Sequence, residues 1–596
     1  MRYTFTESRD SLRIPKLGIY DLREEAEHLF QFMKSASTHE SLWSRAIALD
    51  DEKFSKFRLL PISKIHENNP NTILKLMELR NSNIHLWLGA SLATFESTKK
   101  WLKELVLENH QRILFWVIDE HETIHGHIGV WIKEDDIFEI DNVIKDLRSE
   151  VKGLFSNALI TVCKWLHDYT GLSNVFLRVL NTNSHAINFY KENKFVEAGQ
   201  QELKDKHENS NDISSFWVIM KLELNLYYDV PKVILTAGPS IGPFEVSLVS
   251  DAVRTGWNSN HSDYLNLFSE TFANYVGAKY AIPTDSCTSA LHLALWAIGV
   301  GPGDEVIVPE VTWVATANVV RYLGAKPVFA EIDPLTWTID PNSVESLITE
   351  KTKAIIPVHL YGFVADLDPI EILCKKYNLK LIQDAAPGIG SMYKSVGVAE
   401  RGDFTCFSFQ GAKLLVTGEG GVLTTNNEEL YARAFKISDT GRKPGTFWIE
   451  KLGKKMKMNN ITAALGLAQM QGVERQIFKK RLIRDWYVEE FSNIESIQIQ
   501  KELENTRSIC WMTSINVSIV GFSRDGLREF LSSKNIDTRP VFPPISQYPI
   551  WDQDYKPQKV SQLIGDNSIN LPSGVGLSRS AISKIGTEIR SYISKI

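Results

Sequence analysis

The chain has 596 residues, of which 43% are hydrophobic and 23% are charged, and its formal net charge is −6. At about 150 residues per domain, this length predicts several domains, and the composition excludes disordered, collagenous and coiled-coil proteins. The acidic balance argues against a nucleic-acid partner. The lack of a run of roughly 20 apolar residues, and of an apolar secretory signal, argues against a membrane partner.

The cysteines indicate the compartment. Cys163, Cys287, Cys374, Cys406 and Cys510 are scattered, odd in number and without CxxC spacing. This pattern is typical of reduced thiols in a cytoplasm and argues against a disulfide or zinc framework. We therefore expect a cytoplasmic enzyme with no metal site.

Residues 1–57 form a lead-in in which we find no catalytic chemistry. Apolar residues at helical spacing predict one amphipathic helix: Leu22, Ala26, Leu29, Phe30 and Met33. We interpret residues 1–57 as a helical extension that serves packing or dimerisation.

Residues 58–224 form a predicted α/β unit. Strands are predicted over residues 112–119, 127–132, 175–180 and 216–224, and helices over residues 156–169 and 184–192. Four segments of this unit resemble the GNAT family of N-acetyltransferases: residues 79–81, 127–132, 152–158, and 177–190 followed by 193–195. The last segment is the most specific, and it resembles the strand, asparagine (Asn183) and helix that close the acetyl-CoA cleft.

The resemblance implies roles for several residues of this unit. The pyrophosphate of acetyl-CoA would bind at the helix opened by Gly153 to Ser156, since free N–H groups at a helix start suit an anion. Tyr190 would protonate the leaving CoA thiolate. The candidates to deprotonate the acceptor amine are Glu139, Asp141 and His127.

The unit departs from the family pattern at the loop that would bind the pyrophosphate. Glu150 stands three residues before Gly153 where the family has Gln or Arg, and Phe155 replaces a small residue. The alternative to a working acetyltransferase is therefore a structural domain that has lost catalysis.

Residues 225–238 read as a linker, after which helices and strands alternate from 239 to 596. Such alternation predicts a mostly parallel sheet covered on both faces. Residues 239–480 form the predicted large domain, and residues 481–596 form a smaller α+β lobe.

Three loops after predicted strands carry the chemistry of this second part. Thr284 to Ala290 is hydroxyl-rich and leads into a helix, which suits a phosphate or an ordinary helix cap. Asp384 closes an apolar strand, where a carboxylate needs a cationic partner or serves as a cap. Lys413 follows Ser408 in a tight segment, where a desolvated amine could act as a nucleophile.

Taken together and in this order, the loops resemble a pyridoxal-phosphate enzyme of fold type I, and more closely the DegT/DnrJ/EryC1/StrS family of nucleotide-sugar aminotransferases. The likeness covers about residues 236–596. Supporting segments are residues 303–309, 312–318, 357–362, 407–409 and 418–421. The expected fold class is α/β throughout: a GNAT-like mixed-sheet domain, then a fold-type I aminotransferase domain with its smaller lobe.

The resemblance implies how pyridoxal 5′-phosphate (PLP) is held. Lys413 would bind it covalently and later move a proton, and Asp384 would pair with its ring nitrogen. Trp313 would lie against the ring face. The phosphate would be held by Thr288, Ser408 and the backbone around Cys287 and Ser289.

Two positions depart from the family pattern, and a third is a candidate to bind the substrate. Family members often carry His or Gln where this chain has Pro387, so that contact is missing or replaced. Lys455 stands where a family Asn reaches the phosphate of the neighbouring subunit, and an ammonium could make the same contact. Arg539 is the candidate ligand of a sugar-nucleotide diphosphate, or an ordinary surface arginine.

The two halves together predict a bifunctional enzyme of amino-sugar biosynthesis that acts as a homodimer in the synthesis of surface polysaccharide or O-antigen. A nucleotide-linked 4-keto-6-deoxy sugar would be aminated with glutamate as donor, and the amine would then be acetylated with acetyl-CoA as co-substrate. The alternatives are an aminocyclitol or antibiotic-sugar aminotransferase, an aminotransferase with a non-catalytic GNAT-like module, and a PLP-binding regulator. The last is disfavoured because the N-terminal part shows no helix-turn-helix and no basic stripe.

Overall fold

A computed structural model describes residues 21–43, 45–49, 51–84, 91–133, 137–170, 172, 174–202, 216–224, 233–443, 445–551 and 556–596. Among the described residues, the chain divides into two compact units, one formed by residues 21–224 and the other by residues 233–596. We call them the N-terminal unit and the C-terminal unit and describe each by itself. Residues 1–20 of the predicted extension and residues 225–232 of the predicted linker lie outside the described residues. The predicted domain boundaries stay predictions.

One mixed sheet organises the N-terminal unit. Its strands are β1 (Ile47–Ala48), β2 (Phe57–Pro61), β3 (Arg112–Asp119), β4 (Ile124–Ile132), β5 (Phe138–Lys145), β6 (Asn174–Leu180), β7 (Val196–Glu202) and β8 (Phe216–Glu223). Within the described ranges the strand order is β1-β2-β3-β4-β5-β6-β8-β7. The predicted strand over residues 112–119 is confirmed to the residue, and the other three predicted strands are confirmed with small shifts at their ends.

Helices cover this sheet. They are α1 (Leu22–Lys34), α2 (His39–Trp43), α3 (Pro70–Ser82), α4 (Phe95–Trp101), which continues as a π-helical segment over Leu102–Leu107, α5 (Leu154–Thr170) and α6 (Ser184–Glu192). The two helices predicted here, over residues 156–169 and 184–192, are both confirmed. Helices α3 and α4 were not predicted.

Helix α1 confirms the amphipathic helix predicted in the lead-in. Ala26, Leu29 and Met33 are buried, and the Phe30 ring stacks on Trp165 of α5 with 6.2 Å between centroids. The Lys34 ammonium donates a 2.9 Å hydrogen bond to the Val106 carbonyl. The described part of the lead-in is therefore an integral layer of the N-terminal core, which supports the packing interpretation.

The sheet of this unit is weakly joined at its middle. Strands β5 and β6 run parallel and share a single register pair, Glu139 with Phe176. The register of β4 against β5 shifts between His127 and Gly129, and Asn142 opposite this shift has a φ of 50°. A bulge of this kind bends a strand and re-aims its side chains, which matters for the site described below.

In its described residues the C-terminal unit contains a seven-stranded sheet and two smaller ones. Its strands are β9 (Tyr280–Thr284), β10 (Glu305–Pro309), β11 (Lys326–Ala330), β12 (Thr352–Ile355), β13 (Lys380–Asp384), β14 (Met392–Tyr393), β15 (Val396–Gly397), β16 (Phe404–Ser408), β17 (Gly421–Thr425), β18 (Ile497–Ile499), β19 (Thr506–Arg507), β20 (Thr513–Val517), β21 (Arg539–Pro540) and β22 (Ser568–Leu571). The large sheet has the order β11-β10-β12-β13-β16-β17-β9, in which β17 runs antiparallel to both neighbours.

The helices of this unit follow the predicted alternation. They are α7 (Pro243–Thr255), α8 (Asp263–Val276), α9 (Cys287–Ala297), α10 (Ala315–Tyr322), α11 (Pro341–Leu347), α12 (Leu367–Tyr377), α13 (Glu428–Ser438), α14 (Asn460–Met470), α15 (Val473–Phe491), α16 (Arg524–Ser533), α17 (Lys559–Asn567) and α18 (Arg579–Ile593). Val306 and Val308 of β10 belong to the core that contains α9, whereas Ile307 belongs to the core that contains α12. The predicted cover on both faces is thus confirmed.

A smaller lobe surrounds the sheet β18-β20-β22-β21 and packs α15, α16 and α18 on it. The predicted division at residue 480 falls inside α15, because that helix continues without a break to Phe491. Ile234, within the predicted linker, is buried in this lobe and exchanges main-chain hydrogen bonds with residues 535 and 537. In the ranges that the structure covers, no helix has the length and apolarity needed to span a bilayer.

Candidate active sites

In the C-terminal unit, the ends of β9, β13 and β16 meet at one cavity of about 420 Å³. Ligands of open α/β sheets bind at this edge, beyond the carboxyl ends of the strands. Of the residues predicted to bind PLP, those that line the cavity are Cys287, Thr288, Trp313, Asp384, Ser408 and Lys413. The fold therefore brings together residues that lie as much as 126 positions apart, from Cys287 to Lys413.

The start of α9 forms one wall of this cavity. Ser286 caps the helix, because its hydroxyl accepts a 3.1 Å hydrogen bond from the Ser289 N–H. The first main-chain bond of the helix runs from Ala290 to Ser286, so the N–H groups of Cys287 and Thr288 lie outside both contacts. They are the free donors that an anion at a helix start needs. Ser289 lies in the same turn but does not line the cavity, and its N–H is committed to the cap.

Gly421 of β17 permits the start of α9 to approach the sheet closely. It pairs with Ser408 on one side and with Thr284 on the other. A Cβ at Gly421 would lie 2.5 Å from the Cys287 nitrogen and 2.6 Å from the Ser286 oxygen. No side chain fits there, so the position of the helix start against Ser408 depends on this glycine.

We expect Gly421→Ala to weaken PLP binding by about 5- to 150-fold, because displacing the backbone at Ser286 and Cys287 costs about 1–3 kcal/mol. Equilibrium dialysis of PLP against the purified variant measures the effect. Gly301→Ala is the matched control, since no heavy atom lies within 4 Å of its Cβ position. Unchanged affinity in Gly421→Ala would show that this turn does not hold the phosphate.

Asp384 is a buried carboxylate at the end of β13. It accepts hydrogen bonds from the Thr316 hydroxyl, at 2.7 Å, and from the Ala386 N–H, at 3.0 Å. Burial raises the pKa of this carboxyl, and these two donors and the nearby Lys413 offset the rise only in part. Among the described residues no cationic side chain forms an ion pair with it, so a protonated ring nitrogen in the cavity would supply the partner it lacks.

Lys413 projects its ammonium group over an indole ring. Its Nζ lies 3.9 Å from the centroid of the Trp511 ring, and the Trp511 indole N–H donates a 2.8 Å hydrogen bond to the Ala412 carbonyl. Burial lowers the pKa of Lys413, although Asp384 and Cys287 act in the opposite direction. A lowered pKa increases the neutral fraction of the amine, which is the form that attacks a carbonyl or accepts a proton.

Aromatic residues line the remaining walls of the cavity. The Trp313 side chain is 60% exposed, and its ring centroid is 5.8 Å from that of Phe542. Phe542 stacks on Tyr361, at 5.5 Å and 23°. Pro387 also lines the cavity, at the position where the sequence predicts a missing or replaced contact. The cavity thus has a polar end at Asp384 and an aromatic mouth.

Besides Ser289, two predicted site residues do not line this cavity. Lys455 is exposed and bridges to Asp439 through the main chain. Arg539 is 65% exposed at its side chain and forms a 3.3 Å ion pair with Asp537. A contact across subunits by Lys455 and a diphosphate contact by Arg539 both stay predictions.

Sequence reasoning missed the residues that support the predicted ones. Thr316 donates a hydrogen bond to Asp384, and Trp511 donates one to the segment that carries Lys413. Neither residue was assigned a role from the sequence. A hydroxyl in the segment 312–318, already noted for its family likeness, was a usable signal for Thr316. We find no sequence signal that would have singled out Trp511.

In the N-terminal unit, the predicted pyrophosphate site lies at the start of α5. Gly153 has a φ of 79°, and the first main-chain bond of the helix runs from Asn157 to the Gly153 carbonyl, at 3.1 Å. The three intervening N–H groups therefore lie outside the helical ladder. The Ser156 hydroxyl accepts a 3.2 Å hydrogen bond from the Asn193 amide, just beyond α6.

The structure accounts for one departure from the family pattern. Phe155 is buried, and its Cζ would lie 2.5 Å from a Cβ at Gly126 in β4. The large side chain fits in the core because Gly126 has none. Phe155 therefore occupies space that the sheet leaves free.

Asn183 and Tyr190 lie on the turn and helix that follow β6. Asn183 caps α6 by accepting a 3.0 Å hydrogen bond from the Ala186 N–H, and a cofactor contact by it stays a prediction. The half-buried Tyr190 ring packs 5.7 Å from the Phe195 ring. Burial, and after it the charge of Asp141, raises the pKa of Tyr190, so its hydroxyl keeps its proton at neutral pH.

The three candidate bases are separated by the structure. His127 and Asp141 line one cavity of about 150 Å³, whereas Glu139 lies outside it and forms two 3.0 Å hydrogen bonds with Arg178. The Nδ1 atom of His127 lies 2.8 Å from the Asn142 carbonyl, and burial lowers the His127 pKa to about 4. Since a carbonyl only accepts, Nδ1 carries the proton and Nε2 keeps a free lone pair at neutral pH.

Comparison with known protein families matches both units. A family model described as the DegT/DnrJ/EryC1/StrS aminotransferase family matches residues 239–590, and one described as the acetyltransferase (GNAT) family matches residues 78–195. The two resemblances read from the sequence are confirmed, and the α/β fold class with them.

Individual relatives match over the length of an aminotransferase. The chain is 36% identical over 361 residues to the GDP-perosamine synthase of Caulobacter vibrioides, covering 60% of this chain and 97% of the relative. It is 37% identical over 357 residues to the GDP-perosamine synthase of Escherichia coli O157:H7, covering 60% and 97%. Helicobacter pylori PseC, an aminotransferase involved in the biosynthesis of pseudoaminic acid, is a similar solved structure, with a TM-score of 0.58 and 25% identity over 61% of this chain and 100% of that one.

Proposed function

We propose a function for a chain that belongs to the DegT/DnrJ/EryC1/StrS aminotransferase family and that carries a GNAT-like unit before it. The C-terminal unit aminates a nucleotide-linked 4-keto-6-deoxy sugar with PLP as cofactor and glutamate as amino donor. The N-terminal unit then acetylates the new amine with acetyl-CoA. The two reactions are consecutive, which gives a reason for their fusion in one chain.

One observation carries the transamination proposal. An amine whose pKa burial lowers, Lys413, and a buried carboxylate without an ion-pair partner in the described residues, Asp384, line one cavity with the free start of α9. These groups match the donor set that PLP requires: an aldehyde-binding amine, a partner for the ring nitrogen and a phosphate cradle. When bound, PLP supplies an electron sink for the carbon that bears the amine.

The residues of this chain orient the substrate and move protons. Lys413 Nζ accepts the proton from the substrate carbon and returns it, and Trp511 holds the segment that carries Lys413. Thr316 and the Ala386 N–H fix the Asp384 carboxylate, so it does not rotate when the electron demand changes. The aromatic mouth at Trp313 and Phe542 excludes water from the reacting carbon.

The proposed substrate class rests on the relatives. Two relatives matched over 97% of their length are named GDP-perosamine synthases, which supports a nucleotide-linked sugar here as well. The alternative substrate, an aminocyclitol precursor, carries no nucleotide and would need no site for one. A panel of keto sugars bound to different nucleotides, with scyllo-inosose as the cyclitol, distinguishes the two.

A homodimer is part of the proposal. Phe447 and Leu452, which flank Trp448 in the loop after α13, are 96% and 82% exposed. An exposed apolar cluster of this kind marks an interaction surface, and it is close in sequence to Lys455. A second copy that covers the loop would bring Lys455 toward the partner's phosphate site.

Product analysis tests the two-step proposal directly. Full-length enzyme loaded with PLP is incubated with glutamate and a GDP-linked 4-keto-6-deoxyhexose, and mass spectrometry follows the sugar before and after acetyl-CoA is added. We expect an amino sugar first, and a gain of one acetyl group second. An amino sugar that stays unacetylated would support the non-catalytic module, and no amino sugar from any keto sugar or cyclitol would contradict the aminotransferase assignment.

Tyr190→Phe is expected to slow acetyl transfer by about 10²-fold, because the leaving thiolate loses its proton donor. Transamination by the same variant is expected to be unchanged, which serves as the internal control. The rate is measured as thiol release from acetyl-CoA between pH 6 and pH 8. His127, with a pKa near 4, introduces no titration in that range. An unaltered rate in Tyr190→Phe would assign the proton to another group.

A further inference from the structure

The cavity that His127 shares with Asp141 lies between helices α3 and α4 and strands β3, β4 and β5. Its volume is about 150 Å³. One wall is apolar, formed by Leu76, Trp101 and Ile144. The other is polar, formed by Arg80, Thr98, Arg112, His127, Asp141 and Asn142.

Two buried polar atoms of this cavity have no hydrogen-bond partner in the described part of the chain. They are the Thr98 hydroxyl and the Arg112 Nε. An unsatisfied buried group costs about 1–3 kcal/mol, and native proteins keep few of them. Nε is only a donor, whereas a hydroxyl both donates and accepts, so a ligand that carries hydroxyl groups would satisfy the two together.

The cavity also carries one excess positive charge. Arg112 is paired with Asp141, and the lowered pKa of His127 leaves its ring uncharged. Arg80 is exposed at the rim, and its guanidinium forms no ion pair with any residue that the structure describes. A free guanidinium beside a hydroxyl-binding cavity suits a phosphate or carboxylate group, which it can bind with two parallel hydrogen bonds.

We infer that this cavity is the acceptor site of the N-terminal unit and that it takes one pyranose ring of an amino sugar whose anomeric phosphate is bound by Arg80. The inference rests on the proposed acetyl transfer and specifies its substrate class. A volume of about 150 Å³ is below the roughly 300 Å³ at which pockets for drug-sized ligands begin, so the ring enters and the nucleotide stays outside. The positive charge disfavours a polyamine.

This assignment gives each bond and each proton of the acetyl transfer a place. The sugar amine forms a bond with the acetyl carbon, and its proton passes to Nε2 of the cavity-lining His127, the ring nitrogen with the free lone pair. The carbon–sulfur bond of acetyl-CoA breaks, and the thiolate takes the proton of Tyr190. Asp141 lines the cavity, and its charge also raises the pKa of Tyr190.

The test compares three acceptors that share one 4-amino-4,6-dideoxyhexose ring: the GDP-linked sugar, the sugar 1-phosphate and the methyl glycoside. Thiol release is measured with the full-length enzyme. No keto compound that could receive an amino group is added, so the C-terminal unit cannot turn over. We expect the first two to be acetylated with similar kcat/KM, and the methyl glycoside at least about 100-fold less well. Arg80→Ala should raise KM for the two phosphorylated sugars about 10- to 100-fold, with little change in kcat, and leave the methyl glycoside unaffected.

Two further variants serve as controls. Arg80→Lys should restore part of the lost affinity, and Lys100→Ala, an exposed position on α4 that does not line the cavity, should behave as wild type. Equal acetylation of the methyl glycoside, or an Arg80→Ala variant that treats all three acceptors as wild type does, overturns the inference and leaves the acetyltransferase proposal standing. Failure to bind acetyl-CoA in a calorimetric titration would instead overturn the acetyltransferase proposal itself.

Discussion

Lys413→Ala is expected to lower the rate of transamination by about 10⁴-fold, because it removes both the covalent anchor and the group that moves the proton. The rate is followed as 2-oxoglutarate formed from glutamate in the presence of the keto sugar. The variant should also lose the visible absorption band of covalently bound PLP. Burial lowers the pKa of this amine, so no exposed lysine can replace it.

A small amine in the buffer tests whether the loss is chemical or structural. Removal of the Lys413 side chain leaves space beside the Trp511 ring, and methylamine in that space should recover part of the rate. The matched control is Lys375→Ala, at an exposed position of α12 outside the cavity, which should retain full activity. Wild-type turnover in Lys413→Ala would refute its assignment.

Asp384→Asn is expected to lower kcat by about 10²- to 10³-fold, comparable to the loss of one preorganised electrostatic group in other active sites. The amide can still accept a hydrogen bond, but it carries no charge to keep the ring nitrogen protonated. Thr316→Val is the control, because it removes only the 2.7 Å hydrogen bond to Asp384 and should cost about tenfold or less. Equal losses in the two variants would mean that the charge is not what matters.

We also expect Asp384→Asn to change the stability of the cofactor-free protein. Burial raises the pKa of Asp384 above its unfolded value, so the folded state binds more protons and loses stability as pH rises through that interval. At pH 7, Asp384→Asn should therefore melt at a higher temperature than wild type when PLP is absent. The difference should shrink as pH falls towards 3.8, the ordinary value for an aspartate. A variant that melts lower at pH 7 would contradict a costly buried charge.

Local periodicity and residue type were enough to predict several of the elements. The strand Arg112–Asp119 and the helix Ser184–Glu192 agree with the prediction to the residue. The strand is a run of consecutive apolar residues from Ile113 to Ile118, and the helix follows its Asn183 cap, so both signals come from neighbours in the sequence. For the same reason Asp384 and Lys413 were identifiable, since each stands in a motif whose order along the chain carries its meaning.

Contacts between distant segments needed the tertiary structure. Trp511 holds the Lys413 segment through a hydrogen bond to a residue 99 positions away, and no local pattern encodes such a distance. The acceptor cavity collects Arg80, Thr98 and Arg112 from two helices and a strand, and α3 and α4 were not predicted at all. All three candidate bases are polar residues on adjacent strands, so the sequence could not separate them. Packing decides that His127 and Asp141 line the cavity and that Glu139 does not.

The sequence by itself thus determined the two families and the α/β fold class, and it predicted the residues that would hold PLP. The tertiary structure decided which polar groups share a cavity, which are paired and which are left without a partner. The physical reason is that periodicity and motifs are set by neighbours along the chain, whereas burial, pKa and unsatisfied hydrogen bonds are set by whatever segments pack against a residue in space.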